Sequence, residues 1–144
     1  MIIKQKPRLQ GWEDNLDALL HTYPQKEYVF GVDDCFHMFV EAEFLLTGAT
    51  LWGKYLDYKT YKTAMLFRKK FRDHRAYKIL DKAYAKGNLE NPESGDFSIF
   101  STNYDMPVFY LYHKSKDCWV THQAPAVILP PVFNTVSITR SWSI

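Results

Sequence analysis

Cysteine, uncompensated charge and long apolar runs are all scarce in this chain. Only two of its 144 residues are cysteines, Cys35 and Cys118, which excludes a multi-disulfide framework and is compatible with a reducing compartment. The net charge of +2 is too small to indicate binding to nucleic acid or to a membrane surface. No segment approaches the roughly 20 apolar residues that span a bilayer, so we expect no membrane insertion.

The length and composition predict one globular domain over residues 1–144. A chain of this size can bury a proper core. An aromatic content of 17% is high, and we expect some rings to cover an interface with other proteins as well as the core. Residues 1–7 lack the apolar run of a signal peptide, so we expect synthesis in a cytoplasm, with any later location reached by assembly or lysis.

Helical patterns occupy the first part of the chain, about 8–87, and strand patterns occupy the last part, about 95–144. Apolar periodicity predicts four helices: Gly11 to Thr22–Gln25, Asp34–Leu46, Thr60–Phe71 and Ala76–Lys86. Short β-rich runs between turn-like sequences predict five strands: Asp96–Phe100, Val108–Tyr112, Trp119–His122, Val127–Leu129 and Val136–Thr139. This order predicts an α+β domain, with N-terminal helices packed on a C-terminal antiparallel sheet.

Cys35 lies at the start of the second predicted helix, just after a glycine-containing loop and two aspartates. The unpaired N–H groups and partial positive charge of a helix start favour a thiolate, which is the reactive form of cysteine. The negative charge of Asp34 opposes this effect. The helix is apolar nearly all round and is therefore predicted to be buried, so Cys35 is either a nucleophile or a small core residue.

A cysteine nucleophile needs a base within hydrogen-bonding reach. His37 follows Cys35 by two positions, roughly 200° around a helix, and cannot face the thiol if both are helical. His122 ends a predicted strand, where the core helix packs on the sheet, and is the best placed candidate. The other histidines lie in polar surroundings, and we expect them to be exposed: His21, His74 and His113.

Two further clusters have weaker interpretations. Four residues that lie close in the sequence suggest a metal site: His113, Asp117, Cys118 and His122. Structural zinc sites, however, usually have four nitrogen or sulfur ligands at tight turns. We therefore predict no metal and no cofactor. The basic run Arg68–Arg75 is either a solvated helix face or a surface for an anionic partner.

The order of two motifs resembles that of the NlpC-type cysteine peptidases, which have a papain-like fold. In that family an Asp-Cys pair opens the core helix and a Gly-Asp pair opens the first strand, as Asp34-Cys35 and Gly95-Asp96 do here. The resemblance implies that Cys35 is the nucleophile and that His122 occupies the third, orienting position. The family places its catalytic histidine near Met106-Pro107, where this sequence has none. Activity as a cysteine peptidase or amidase is therefore left open.

A narrower resemblance covers nearly the whole chain. The segments Arg8–Glu13, Phe30–Cys35 and Arg140–Ile144 resemble small NlpC-like proteins encoded in bacteriophage tail gene clusters. This resemblance implies a tail assembly protein of the tail tip or baseplate hub, located in the virion, with hub and tail-tip proteins as partners. One alternative is an active cysteine hydrolase that cleaves peptidoglycan stem peptides during genome entry, with His122 as base. Another is a bacterial immunity or regulatory protein on the same scaffold.

Overall fold

The computed structural model describes residues 7–53, 65, 69, 75–100, 108–122, 127–129 and 140–144. The helices of this part are α1 (Trp12–Thr22), α2 (Cys35–Thr47) and α3 (Arg75–Ala83), with short 3-10 turns at Tyr23–Gln25 and Lys114–Lys116. The strands are β1 (Ala85–Lys86), β2 (Asp96–Phe100), β3 (Val108–His113), β4 (Cys118–Thr121), β5 (Val127–Leu129) and β6 (Trp142–Ser143).

The six described strands form one sheet in the order β1-β6-β2-β3-β4-β5, and every neighbouring pair is antiparallel. Strands β2 to β5 follow each other in the chain and pair as a meander. Strand β6 comes from the end of the chain and inserts between β1 and β2. The sheet therefore joins distant parts of the sequence along one edge.

Helix α2 lies at the centre of the core, as its composition predicts. Phe39 is fully buried and stacks on Phe109 of β3, with ring centroids 4.8 Å apart. The helix ends at Gly48, whose φ of 77° is the left-handed conformation that glycine adopts without strain. Its exposed face includes Phe44, which is 44% accessible although the apolar composition of the helix predicts burial nearly all round.

Helix α1 packs beside α2 through one apolar face. Leu16, Leu19 and Leu20 are buried, whereas the acidic residues of its first turn face outward. The helix begins one residue after Gly11, the predicted start, because Gly11 is its N-cap.

Helix α3 ends earlier than predicted. It ends at Ala83, and Ala85–Lys86 leaves the helical path to pair with β6. Neither β1 nor β6 was predicted. Of the predicted helix Thr60–Phe71 only Met65 and Lys69 are described, and both are helical. The predicted strand Val136–Thr139 and most of the basic run lie outside the described residues.

The described part of the chain is an α+β arrangement of helices on one side of an antiparallel sheet. The main cluster of buried side chains is shared between the helices and the helix-facing side chains of β2, β3 and β6. In the described residues, no helix has both the length and the apolar character needed to cross a bilayer.

Candidate functional site

Asp34 organises the start of α2. It is the N-cap residue, and its Oδ1 accepts the backbone N–H of His37 at 2.9 Å. The same oxygen lies 2.8 Å from His37 Nδ1, and Oδ2 accepts the backbone N–H of Gly31 at 2.8 Å. One buried carboxylate therefore fixes both the first turn of α2 and the loop before it.

The Cys35 thiol is enclosed at the junction of α2 with the sheet. The residue is only 7% exposed, and Sγ accepts the backbone N–H of Phe109 at 3.4 Å. Burial raises the pKa of Cys35 to about 12, the charge of Asp34 adds to this effect, and the Phe109 N–H and the Thr121 hydroxyl oppose it. Contrary to the expectation of a helix-start thiolate, Cys35 is a neutral thiol at physiological pH.

His122 lies on the same side of the sheet as the helices. Leu111 pairs with Val120, and continuing this register by two residues places His122 opposite Phe109, the strand residue whose N–H reaches Sγ. The imidazole is 1% exposed and lies edge-on to Tyr23 and Tyr28, with centroid distances of 5.4 and 5.8 Å.

Cys35 and His122 both lie near Phe109 of β3, but their side chains are not hydrogen-bonded to each other. Burial lowers the pKa of His122 below its ordinary value, so the ring is neutral at pH 7; the backbone of Glu27 and nearby aspartates oppose only part of this shift. The backbone of Glu27 is nevertheless not positioned to form a hydrogen bond of ordinary geometry with the imidazole. Both ring nitrogens of His122 therefore lack a partner among the described residues. No hydrogen bond therefore links the imidazole to the thiol. The assignment of this pair as nucleophile and base remains a prediction.

The family's usual base position cannot be placed in this site. Met106 and Pro107 lie outside the described residues. Within the described part, His37 turns its ring to Asp34, and His21 lies on the surface near Lys116, 3.2 Å from its ammonium. The fifth histidine, His74, is outside the described part.

His113 is buried, contrary to the expectation that the end of its strand is exposed. It is 2% accessible because α1 covers it, and its Nε2 lies 2.8 Å from Asp17 Oδ1. Ser115 Oγ approaches the same ring nitrogen at 3.0 Å and donates to Asp17 at 2.6 Å. A Ser-His-Asp relay uses opposite ring nitrogens, so this cluster ties the β3–β4 turn to α1 and is not a relay.

The hairpin residues suggested as metal ligands do not converge. Among the described residues, no group of three or more His, Cys, Asp or Glu side chains is arranged to hold a metal ion. Asp117 instead accepts a hydrogen bond from the Tyr112 hydroxyl.

Several residues around the site were not identified from the sequence. Thr121 approaches the thiol and also donates to the Phe109 carbonyl at 2.7 Å. Glu43, at the other end of α2, is 2% exposed and accepts from the Leu51 N–H and the Tyr84 hydroxyl. Its acidic side chain within a mostly apolar helix was the only sequence signal, and it does not identify the partners.

An apolar loop adjoins the site. Val29, Phe30 and Val32 are 41%, 46% and 40% exposed, unusual values for three large apolar side chains within four residues. A bridge between Val29 and Asp33 and the Asp34–Gly31 hydrogen bond hold the loop in shape. The loop is therefore an ordered apolar projection beside Cys35.

Comparison with known proteins identifies a family only. Neither a curated protein nor a solved structure matches the chain. One family profile, described as a domain of unknown function (DUF6950), matches residues 7–144. This match covers nearly the whole sequence, including both α2 and the sheet. The chain therefore belongs to the DUF6950 family.

Proposed function

We propose that this protein is a structural component of a bacteriophage tail tip or hub, built on an NlpC-like fold with an inactive cysteine site. The state of Cys35 is the observation that carries the inactive site, whereas the tail role is carried by the resemblance to proteins of tail gene clusters. The Cys35 thiol is buried, its pKa is raised to about 12, and its hydrogen-bond donor is a backbone N–H. A thiol in this state is a poor nucleophile because attack requires the thiolate.

The residues that carry the resemblance have structural contacts in this protein. Asp34 caps α2 and holds the preceding loop. Gly95 lies against the Arg8 guanidinium, where a Cβ atom would come within 2.9 Å of it. Arg8 in turn bonds Ser143 Oγ at 3.0 Å. The motif order therefore supports an NlpC-like scaffold, and these contacts give each motif a role that needs no catalysis.

The apolar loop supports a role in assembly. Exposed apolar side chains on an ordered loop are suited to the centre of a protein interface, since little ordering of the backbone has to accompany their burial. The hub and tail-tip neighbours implied by the resemblance would bury Val29, Phe30 and Val32. The same contact would cover the end of the molecule that holds Cys35.

Substitutions in the phage that encodes the chain test this proposal. Cys35→Ser should leave tail assembly and plating efficiency unchanged, whereas Val32→Asp should reduce the number of complete tails by placing a charge in the interface. Lys78→Asp, on the exposed side of α3, is the matched control and should have no effect. Complete Cys35→Ser tails that adsorb but fail to deliver the genome would contradict the proposal.

One observation favours the alternative of a cysteine hydrolase that cleaves peptidoglycan stem peptides. His122 is neutral and buried, has no hydrogen-bond partner in the part of the chain that the structure describes, and lies one strand away from the residue that contacts Sγ. A rearrangement that brought the ring to the thiol would create the missing nucleophile–base pair. Hydrolysis of a synthetic stem peptide that is abolished by both Cys35→Ser and His122→Ala would establish this activity.

A further inference from the structure

A polar cleft lies at the end of the sheet opposite to Cys35. Asp96 begins β2 and Lys114 follows the end of β3, whereas the thiol contacts β3 near its start. A cavity of about 470 Å³ at this end adjoins a second of about 300 Å³, and the two share Glu13, Ser94 and Lys114. Their volumes are in the range of small-molecule sites, and their continuity suits an elongated ligand.

Some of the lining groups satisfy one another and form a fixed frame. The Arg8 guanidinium bonds the Ser94 carbonyl oxygen at 3.2 Å and stacks on Trp12, with 4.1 Å from Cζ to the ring centroid. Asp96 is buried and accepts the Glu93 backbone N–H at 3.0 Å. Glu93 also pairs with Lys114 at 2.8 Å. These groups shape the cleft, and most of their polar atoms are bonded, although Arg8 Nε is buried without a hydrogen-bond partner among the described residues.

Other lining groups have no direct partner within the described residues. Among the described residues, Lys86 is exposed on β1 and makes no ion pair, and Glu13 lines the cavity beside Arg8 and Lys114 without a hydrogen bond or ion pair to either. Asn88 uses Oδ1 to accept the Glu90 N–H at 3.0 Å, which leaves its NH₂ group available. The unused capacity of the first cavity is thus one cation, one anion and amide groups.

The unused charges are distributed over the two cavities. Lys86 lies in the first cavity, and Glu13 is shared with the second, where Asp14 adds another acidic side chain. A ligand that complements both regions carries a negative group at one end and a positive group at the other. Amide donors and acceptors between those ends would match Asn88 and Asn91, which also line the first cavity.

We propose that this cleft binds a short peptide with a free amino and a free carboxyl terminus. The carboxylate pairs with Lys86, the ammonium group lies against Glu13 and Asp14, and the peptide amides bond Asn88 and Asn91. This site is separate from Cys35 and does not depend on the role of that residue.

Titration of the ¹⁵N-labelled protein with trialanine tests the proposal by NMR. Trialanine should give saturable shifts at Lys86, Asn88 and Glu13, and N-acetylation or C-terminal amidation should each weaken binding about fivefold, as expected for a partly exposed charge pair. Lys86→Ala should weaken binding of trialanine but not of its amide. Glu13→Gln should weaken binding of trialanine but not of its N-acetyl form.

Matched controls and a competing ligand complete the test. Lys78→Ala and Glu90→Gln remove exposed charges outside the cleft and should leave binding unchanged. If the NMR spectrum of Lys86→Ala loses the chemical-shift dispersion of a folded protein, Lys86→Gln is used in its place. Absence of saturable shifts, equal affinity for the capped peptides, or equal affinity for free alanine would each overturn the proposal.

Discussion

At the scale of single residues, two effects act on the Cys35 thiol in opposite directions. A helix start stabilises a negative charge by about 0.3–1 kcal/mol. Burial dominates the shift from the ordinary pKa of 9.0 to about 12, and three units correspond to about 4 kcal/mol. Desolvation therefore decides the state of the thiol. The sequence reveals the helix start, but the burial arises from distant packing against Phe109 and Thr121.

Asp34 is the residue whose loss should affect this region most. Replacing Asp34 by Ala removes the N-cap bond to His37 and the bond to Gly31, so we expect the free energy of unfolding to fall by about 2–3 kcal/mol. Urea denaturation measures this change. In Asp34→Ser the serine keeps a capping oxygen, but its shorter side chain reaches the Gly31 N–H poorly. We therefore expect this variant to lose about half as much free energy of unfolding as Asp34→Ala. Equal stability of the wild type and Asp34→Ala would contradict the assigned role.

At the scale of elements, local signals were sufficient where sequence and structure agree. Strand Asp96–Phe100 was predicted with its observed bounds because Gly95 precedes it and β-rich residues fill it. The bounds of α2 moved by one residue at each end, from Asp34–Leu46 to Cys35–Thr47, because Asp34 and Gly48 are caps. Such signals lie within the segment itself and can be read without knowing the fold.

The elements that were missed depend on contacts far along the chain. Ala85–Lys86 follows a helical pattern and was predicted as helix, but it becomes a strand by pairing with Trp142–Ser143. His113 was expected to be exposed because its sequence neighbours are lysines, and it is buried because α1 lies over it. The same limit applies to the candidate site, because the sequence names Cys35 and His122 as a nucleophile and its base but cannot show that their side chains form no hydrogen bond.

The turn before β2 depends on Gly95, and replacing this glycine should lower stability. Gly95 has a φ of +92°, and a Cβ atom there would lie 2.9 Å from Arg8. Gly95→Ala should therefore reduce the free energy of unfolding by about 2–3 kcal/mol, through backbone strain and displacement of the guanidinium.

A second glycine provides the control. Gly48 has a similar φ of +77°, but a Cβ atom there would meet Leu9 at an ordinary 3.5 Å. Gly48→Ala should therefore lower the free energy of unfolding only through backbone strain, by about 1 kcal/mol. Equal losses in the two variants, measured by urea denaturation, would show that the contact with Arg8 is unimportant.

At the scale of the whole molecule, Arg8 closes the described structure by joining its first and last segments. Its guanidinium bonds Ser94, Ser143 and Ile144. Arg8→Ala should lower the free energy of unfolding by about 2–3 kcal/mol, and Tm by about 5–10 °C for a chain of this size.

Arg140 is the matched control because it is also an arginine that contacts an aromatic ring. It is more exposed and pairs with Asp81 at 3.4 Å, so Arg140→Ala should change the free energy of unfolding by less than about 1 kcal/mol. Thermal denaturation of the two variants side by side makes the comparison. A larger loss of stability in Arg140→Ala than in Arg8→Ala would contradict the role assigned to Arg8 in linking the first and last segments.

The two ends of the sheet differ in chemistry. One end combines the buried Cys35 and His122 with the apolar loop, and the other has the polar cleft around Lys86 and Glu13. This division is consistent with a protein that is covered by neighbouring subunits at one end and remains open to a polar ligand at the other.

The most direct test of the central claim is the rate at which iodoacetamide labels Cys35 in the folded protein as a function of pH. With Cys118→Ser to isolate the signal, we expect labelling at pH 7 to be about a thousandfold slower than in the unfolded chain, which follows from a pKa three units higher. The rate should still be rising above pH 10, and His122→Ala should not change it. Rapid labelling near pH 6 that is slowed by His122→Ala would contradict the account and establish a thiolate paired with imidazole.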